Sequence, residues 1–211
     1  MNLSIIIPTF NRKDVIGYTI QHLLNQFHDF CNFEFEIIVS DNASVVSPET
    51  VVADIKDSRI TYISNKENLG MSKNILHAVK KAKGTYLWVF GDDDLVDFVA
   101  IESLVYLIQK DDGFGILQIA KKSFAKVTDI KWSRLIGTID PSPMELPANI
   151  KKQDSLFGFL SSNIVSTKIF NEVADEILDR EGDFLQNNYL PKLINYGICK
   201  ASRKKLFIRE E

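Results

Sequence analysis

The sequence predicts an α/β protein in which a mostly parallel central sheet carries helices on both faces. Three observations carry this. Through about the first 120 residues, short apolar runs alternate with segments of helical periodicity, the pattern of repeated strand–helix units. The runs are apolar at successive positions, as in strands covered on both faces. The breaks that follow three of them are polar, and in such sheets ligands bind beyond the carboxyl ends of the strands.

Leu3 to Ile7 is the first run, closed by Pro8. Asn11 stands where a helix cap would, with Asp14 in the first turn. Ile16, Ile20, Leu23, Leu24 and Phe27 then recur at helical spacing. Phe35 to Val39 is a second strand. Ser47 and Pro48 read as a cap and a first helical residue, with Val51, Val52 and Ile55 as the apolar face. Ile60 to Ile63 is a third strand. Ser72 is the expected cap of a helix that turns Ile75, Leu76, Val79 and Ala82 inward, and Gly84 its left-handed stop. Thr85 to Phe90 is a fourth strand. Phe98, Ile101, Leu104, Val105 and Ile108 mark the next helix, and Phe114 to Ala120 a further strand. The second half is less regular. Residues 121–152 hold Pro141, Pro143 and Pro147 and read as loop with a short strand or two. Thr167 to Asp179 has a helical pattern, Asp183 to Tyr196 is a further helix containing Pro191, and Ile198 to Ile208 ends the chain in one or two strands.

The chain has 211 residues, 45% hydrophobic and 25% charged, which suits one globular domain and excludes a disordered, collagen-like or coiled-coil chain. Lys plus Arg total 25 against 28 Asp plus Glu, without the basic excess of a nucleic-acid binder. Cys31 and Cys199 make no disulfide framework. No apolar run reaches the roughly 18 residues of a membrane span, and the start lacks a signal peptide's apolar core. A reducing, cytoplasmic setting is expected. The one charge asymmetry is at the end, with Lys192, Lys200, Arg203, Lys204, Lys205 and Arg209. It is either a solvated edge strand guarded by lysine or a surface for an anionic membrane or acidic substrate.

Asp92-Asp93-Asp94 follows the fourth strand. Two unit charges about 4 Å apart repel by about 4 kcal/mol at a surface-like dielectric. A divalent cation relieves this, and carboxylates with water suit Mg²⁺ or Mn²⁺. The other reading is that one or two of them cap the helix holding Phe98. Asp41-Asn42-Ala43-Ser44 follows the second strand: a carboxylate to accept from a nucleobase N–H, or an Asx turn. Pro8 to Arg12 follows the first: Phe10 to stack on a base and Arg12 to meet phosphate, or a turn with a cap. Between Glu67 and Asn74, Gly70 permits a close approach and Lys73 offers charge to phosphate, without the P-loop spacing. His22, His28 and His77 lack metal-ligand spacing, and His22 and His77 are expected on helix surfaces. Neither cysteine has an evident base partner.

Four segments together resemble the family 2 glycosyltransferases: Ser4-Ile-Ile-Ile-Pro-Thr-Phe-Asn11, Phe35-Glu-Ile-Ile-Val-Ser-Asp-Asn-Ala-Ser44, Asn68-Leu-Gly-Met-Ser-Lys-Asn74 and Gly84-Thr-Tyr-Leu-Trp-Val-Phe-Gly-Asp-Asp-Asp94. Their order and spacing match across about half the chain. The resemblance implies the GT-A fold, a three-layer α/β/α sandwich, as a single domain over 1–211. Residues 1–120 would be its nucleotide-sugar half and 121–211 its acceptor-side half. It implies inverting transfer of a sugar from a nucleotide-sugar, usually a UDP-sugar, to a hydroxyl in cell-surface polysaccharide or lipopolysaccharide synthesis. The acceptor would be a glycan or lipid-linked glycan, no nucleic acid would be bound, and the basic end would give peripheral contact with the inner membrane face.

Carried over by position, Pro8, Thr9 and Phe10 line the nucleoside pocket and Asp41 accepts from the base N–H. Arg12, Asn68 and Lys73 stand near the donor, and the aspartates form a DxD-type motif holding Mn²⁺ or Mg²⁺ against the diphosphate. Gly91 departs from the Asp-x-Asp-Asp of many members, so the ligands come in a shifted frame. Asp93 is then the main ligand, Asp94 a further one, and Asp92 lies near the ribose or a metal-bound water. Inversion needs a base for the acceptor hydroxyl. Asp183 is the nearest candidate, with Glu181 the alternative and a surface turn the plain reading. A nucleotidyltransferase and a non-catalytic nucleotide-sugar binding module are the alternative functions.

Overall fold

Strand β1 (Leu3–Thr9) is the centre from which the sheet grows in the computed structural model, which describes residues 1–110, 116–118, 143–145, 161, 163–178 and 199–202. It pairs in parallel with β2 (Phe35–Asp41) on one side and with β4 (Tyr86–Val89) on the other, and β3 (Ile60–Ser64) continues the sheet beyond β2. Helices α1 (Lys13–Gln26), α2 (Glu49–Asp54) and α3 (Met71–Val79) make the crossovers, and α4 (Phe98–Lys110) follows β4. The second half adds β5 (Ile116–Gln118), β6 (Pro143–Glu145), β7 (Asn163–Ser166), α5 (Thr167–Leu178) and β8 (Cys199–Ser202). The strand order is β3-β2-β1-β4-β7-β5-β8-β6. Four of the seven pairings are parallel, and β7 runs antiparallel to both β4 and β5.

Alternation along the strands makes the layers. Leu3, Ile5 and Ile7 of β1, Phe35, Ile37 and Val39 of β2, and Tyr86 and Trp88 of β4 share one buried cluster with Ile16, Ile20 and Leu23 of α1, Val52 of α2 and Ile101 and Leu104 of α4. Ile6, Ile38 and Leu87 point the other way, are equally buried, and lie outside that cluster. Helix α3 packs on β1 and β2 with Ile75, Ala78 and Val79 buried. Each such fully buried aliphatic side chain contributes about 1.5–3 kcal/mol. Continuous apolar runs were therefore the right signal: both faces of these strands are covered.

Several local expectations are corrected. Asn11 does not cap α1; it takes φ 56°, Arg12 is the cap residue, and no side chain fills that cap. Gly70, at φ 77°, precedes α3 where Ser72 was expected to cap it. Gly84 is not a left-handed stop. It sits where an added Cβ would lie 2.6 Å from the carbonyl carbon of Leu3 and against the Ser4 amide, so it admits the start of β1 beside β4. Strand β7 has only two apolar residues, Ile164 and Val165, too few to register as a run. Strand β8, which carries Lys200, is flanked by β5 and β6, so it is not an edge. The helix expected over 183–196, with Asp183, and the remaining basic residues at 192 and 203–209 lie outside the described residues. Among the described residues, no helix is long and apolar enough to cross a membrane.

Candidate active site

The carboxyl ends of β1, β2 and β3 finish level, and β4 ends three residues earlier, at Val89 opposite Ile6. Thr9 and Asp41 are register partners, and Asn42 N donates to Thr9 O at 3.0 Å, Asn65 N to Asp41 O at 2.9 Å and Phe90 N to Ile6 O at 2.8 Å. The polar segments after β1, β2, β3 and β4 consequently share one rim.

Direct bonds then tie them. Thr9 Oγ1 donates to Asp92 Oδ2 at 2.7 Å. Arg12 NH1 pairs with Asp93 Oδ2 at 2.7 Å. Asn11 N donates to Ser44 Oγ at 2.7 Å, and Asn11 Oδ1 accepts from Val45 N at 2.9 Å. Asn11 and Ala43 both adopt left-handed backbone, at φ 56° and 62°. Such conformations cost energy and persist where the surroundings over-determine them, often at functional sites.

Asp41 is 1% exposed, and both of its carboxylate oxygens accept hydrogen bonds. Ser44 donates to Oδ1 from its amide at 3.0 Å and its hydroxyl at 2.5 Å, and Tyr62 OH donates to Oδ2 at 2.9 Å. Burial raises the Tyr62 phenol above its usual range, the nearby Asp41 adding to this and Ser47 opposing it. Tyr62 therefore keeps its proton and serves Asp41 as a donor. In place of the Asx turn expected as an alternative, the Asp41 carboxylate accepts from Ser44 N, three residues on rather than two. Phe10 stands 42% exposed beside this group, and Pro8 pairs with Ser40 in the ladder beneath it.

The aspartates after β4 go three ways. Asp92 faces Thr9, and its carbonyl accepts from the buried Thr19 hydroxyl of α1 at 2.7 Å. Burial raises its carboxyl above the usual range; the Thr9 hydroxyl and Arg12 oppose this and Asp93 reinforces it. Asp93 faces Arg12, both about half exposed. Asp94 accepts from Ser161 Oγ, which also accepts from Gly91 N at 2.8 Å. Gly91 now has a reason: a Cβ there would run into the Asp94 carboxylate, 3.0 Å from Cγ and nearer to Oδ2. Among the described residues, no three His, Cys, Asp or Glu side chains are grouped to hold a metal. The set fits a cation that takes one or two carboxylates and completes its shell with phosphate and water, as Mg²⁺ does. It does not fit an all-protein cage.

Asn68 is joined to this rim by a network that local sequence patterns do not disclose. Asn42 Nδ2 donates to Asn68 Oδ1 at 2.7 Å, and Asn42 Oδ1 accepts from Leu69 N at 2.9 Å and Asn65 Nδ2 at 3.1 Å. Asn68 Oδ1 also accepts from Gly70 N at 2.9 Å, fixing the turn into α3. Lys73 is exposed in the first turn of that helix. His22 and His77 are half-buried rather than surface residues: His22 Nε2 lies 2.8 Å from Val96 O, and His77 Nδ1 meets Asn65 Oδ1. Burial lowers the His22 ring below its usual range. The available signal was Asn74, a polar residue on the same helical stripe as the buried Ala78.

Comparison with known proteins adds identity to this geometry. Residues 4–176 match the family described as Glycosyl transferase family 2. The abequosyltransferase RfbV of Salmonella typhimurium is 33% identical over 132 residues, 56% of this chain and 39% of that protein. A Campylobacter jejuni GalNAc(5)-diNAcBac-PP-undecaprenol beta-1,3-glucosyltransferase is 27% identical over 99% of this chain and 66% of its own length. The chain thus spans between about two fifths and two thirds of these relatives. Among solved structures, S. aureus TarS in complex with UDP-GlcNAc superposes with TM-score 0.70 at 19% identity, covering 97% of this chain and 57% of TarS. That likeness concerns the fold. With four strand-end segments converging on one rim inside the matched span, the chain belongs to glycosyl transferase family 2.

Proposed function

We propose that the protein transfers a sugar, with inversion, from a nucleotide-sugar, a UDP-sugar in the first instance, to a hydroxyl of a cell-surface glycan or lipid-linked glycan. The observation that carries this is the single rim on which Thr9, Arg12, Asp41, Asp92 and Asp93 meet. The relatives named above are glycosyltransferases, one of them acting on an undecaprenol-linked glycan by its name, and TarS was solved with UDP-GlcNAc.

Each residue then has a task. Asp41, oriented by three donors, keeps a lone pair for the imide N–H of uracil, while exposed Phe10 stacks on the base and Pro8 and Thr9 wall the pocket. Asn68 shapes the loop, and Lys73 and Arg12 face the phosphates. Asp92 lies towards the ribose. Asp93, with Asp94 beside it, would hold Mn²⁺ or Mg²⁺, which when bound neutralises charge on the leaving diphosphate. Asp183 takes the acceptor's proton. The basic end rests on the inner membrane face, where a lipid-linked acceptor would be presented.

Thermal-shift titration with UDP, with and without Mn²⁺, tests the donor site. Stabilisation by UDP that is larger with Mn²⁺ is expected, and none with either removes the reading. Asp183→Asn should keep donor affinity and lose transfer; collapsed donor affinity would show that Asp183 is misassigned.

A further inference from the structure

The amide side chains between β2, β3 and α3 form one continuous hydrogen-bonded set. Asn74, 2% exposed, donates from Nδ2 to Ser40 O at 2.9 Å and accepts at Oδ1 from Ser40 Oγ at 2.7 Å and Asn65 Nδ2 at 2.8 Å. Asn65, 8% exposed, shares that Nδ2 with Asn42 at 3.1 Å. With its amide nitrogen so used, Asn65 Oδ1 faces His77 Nδ1 at 2.5 Å, which makes that ring nitrogen the donor. Asn42 passes the chain on to Asn68 and Leu69.

Three features say that this set does more than fill space. The side-chain amide oxygens and nitrogens of Asn42, Asn65 and Asn74 all have partners, so it holds geometry. It starts next to Asp41, whose carbonyl accepts from Asn65 N at 2.9 Å. It ends on Asn74, the residue after Lys73, and on Asn68, whose oxygen fixes the Gly70 turn at the start of α3. The set therefore links Asp41 to the first turn of α3, the turn that carries Lys73.

We propose that Asn65 is a positioning residue: it fixes where Lys73 stands relative to Asp41, and so sets the match between the site and the base-to-phosphate span of a nucleoside diphosphate. This rests on the donor-site reading above. A preset cation costs no reordering when the phosphate arrives. Asn65 acts only through the network, so its removal should weaken recognition of phosphate while leaving recognition of the nucleoside.

The test is calorimetric titration of the full chain with UDP and, separately, with uridine, both with Mn²⁺ present. Lys73→Ala is expected to weaken UDP about tenfold and uridine by less than about twofold. Asn65→Ala should do the same, and Asn65→Ala with Lys73→Ala together should lose no more UDP affinity than Lys73→Ala alone. Equal loss of both ligands in Asn65→Ala, no loss of either, or strictly additive losses in the double variant would overturn the proposal. If Asn65→Ala does not fold, His77→Ala decides: a fall of about threefold in the ratio of UDP to uridine affinity supports it, and an unchanged ratio overturns it. A wild-type chain that binds neither ligand, or a Lys73→Ala chain that binds both normally, brings down the donor-site reading itself. Those outcomes are distinct from a network that fails alone.

Discussion

At the β2–β3 end of the rim, Asp41 is 1% exposed and both its oxygens are taken by donors from neighbouring strands and loops. At the β4 end, Asp93 is 50% exposed and is paired with Arg12 at the surface. The first arrangement changes partners only at a high cost, because each stranded buried group forfeits about 1–3 kcal/mol. The second is easily exchanged, since exposed ion pairs are worth about 0–1 kcal/mol. Under the proposed function, the fixed carboxylate would read the base and the exchangeable one would turn to a cation.

The sharpest way to break this contrast is Asp93→Ala. Transfer should fall by at least about 100-fold in an assay of UDP release, while Tm stays within about 1 °C; a Tm loss of several degrees would give Asp93 a structural role like that of Asp41. Asp41→Ala should lower Tm by about 5 °C, because the Ser44 amide and the Ser44 and Tyr62 hydroxyls lose their shared acceptor, and scanning calorimetry that finds no change would erase the difference between the two ends.

Asp92 stands between the extremes and gives a pH signature. Burial raises its carboxyl, so the folded chain keeps that proton to higher pH than the unfolded chain. Stability is then complete below the ordinary carboxylate range near pH 4 and declines as pH rises through the raised value. Asp92→Asn should raise Tm at pH 7 by about 1–2 °C, with the gain vanishing below about pH 4. The smallest effect belongs to Arg12→Ala: a Tm change under about 1 °C at low salt, and none at high salt, where a surface pair is screened.

The strand–helix order through α4 was legible because β1, β2 and β4 are buried on both faces and read as unbroken apolar runs. Strand ends were legible because charge and turn residues follow at once, which is why Asp41 and Asp92 to Asp94 stood out. Their partners were not. Thr9 lies 83 residues from Asp92 and Tyr62 lies 21 from Asp41, and no local pattern encodes such pairings. Caps failed for a related reason: Asn11 spends its side chain on Val45 across the rim rather than on its own helix. The pairing of Asn65 with Asn74 is not encoded locally either, because only the folded sheet and α3 bring them together.

Ser161 has a consequence for how the chain is completed. Its carbonyl accepts from Trp88 Nε1 at 2.8 Å, and its hydroxyl joins Gly91 and Asp94. Trp88 is wholly buried, and its sole indole donor has to wait for a residue synthesised 73 positions later. The pairings among β1 to β4 need no residue beyond Val89, whereas the acidic turn needs Ser161. A chain interrupted before residue 161 would carry every aspartate of that turn without the clasp that shapes it.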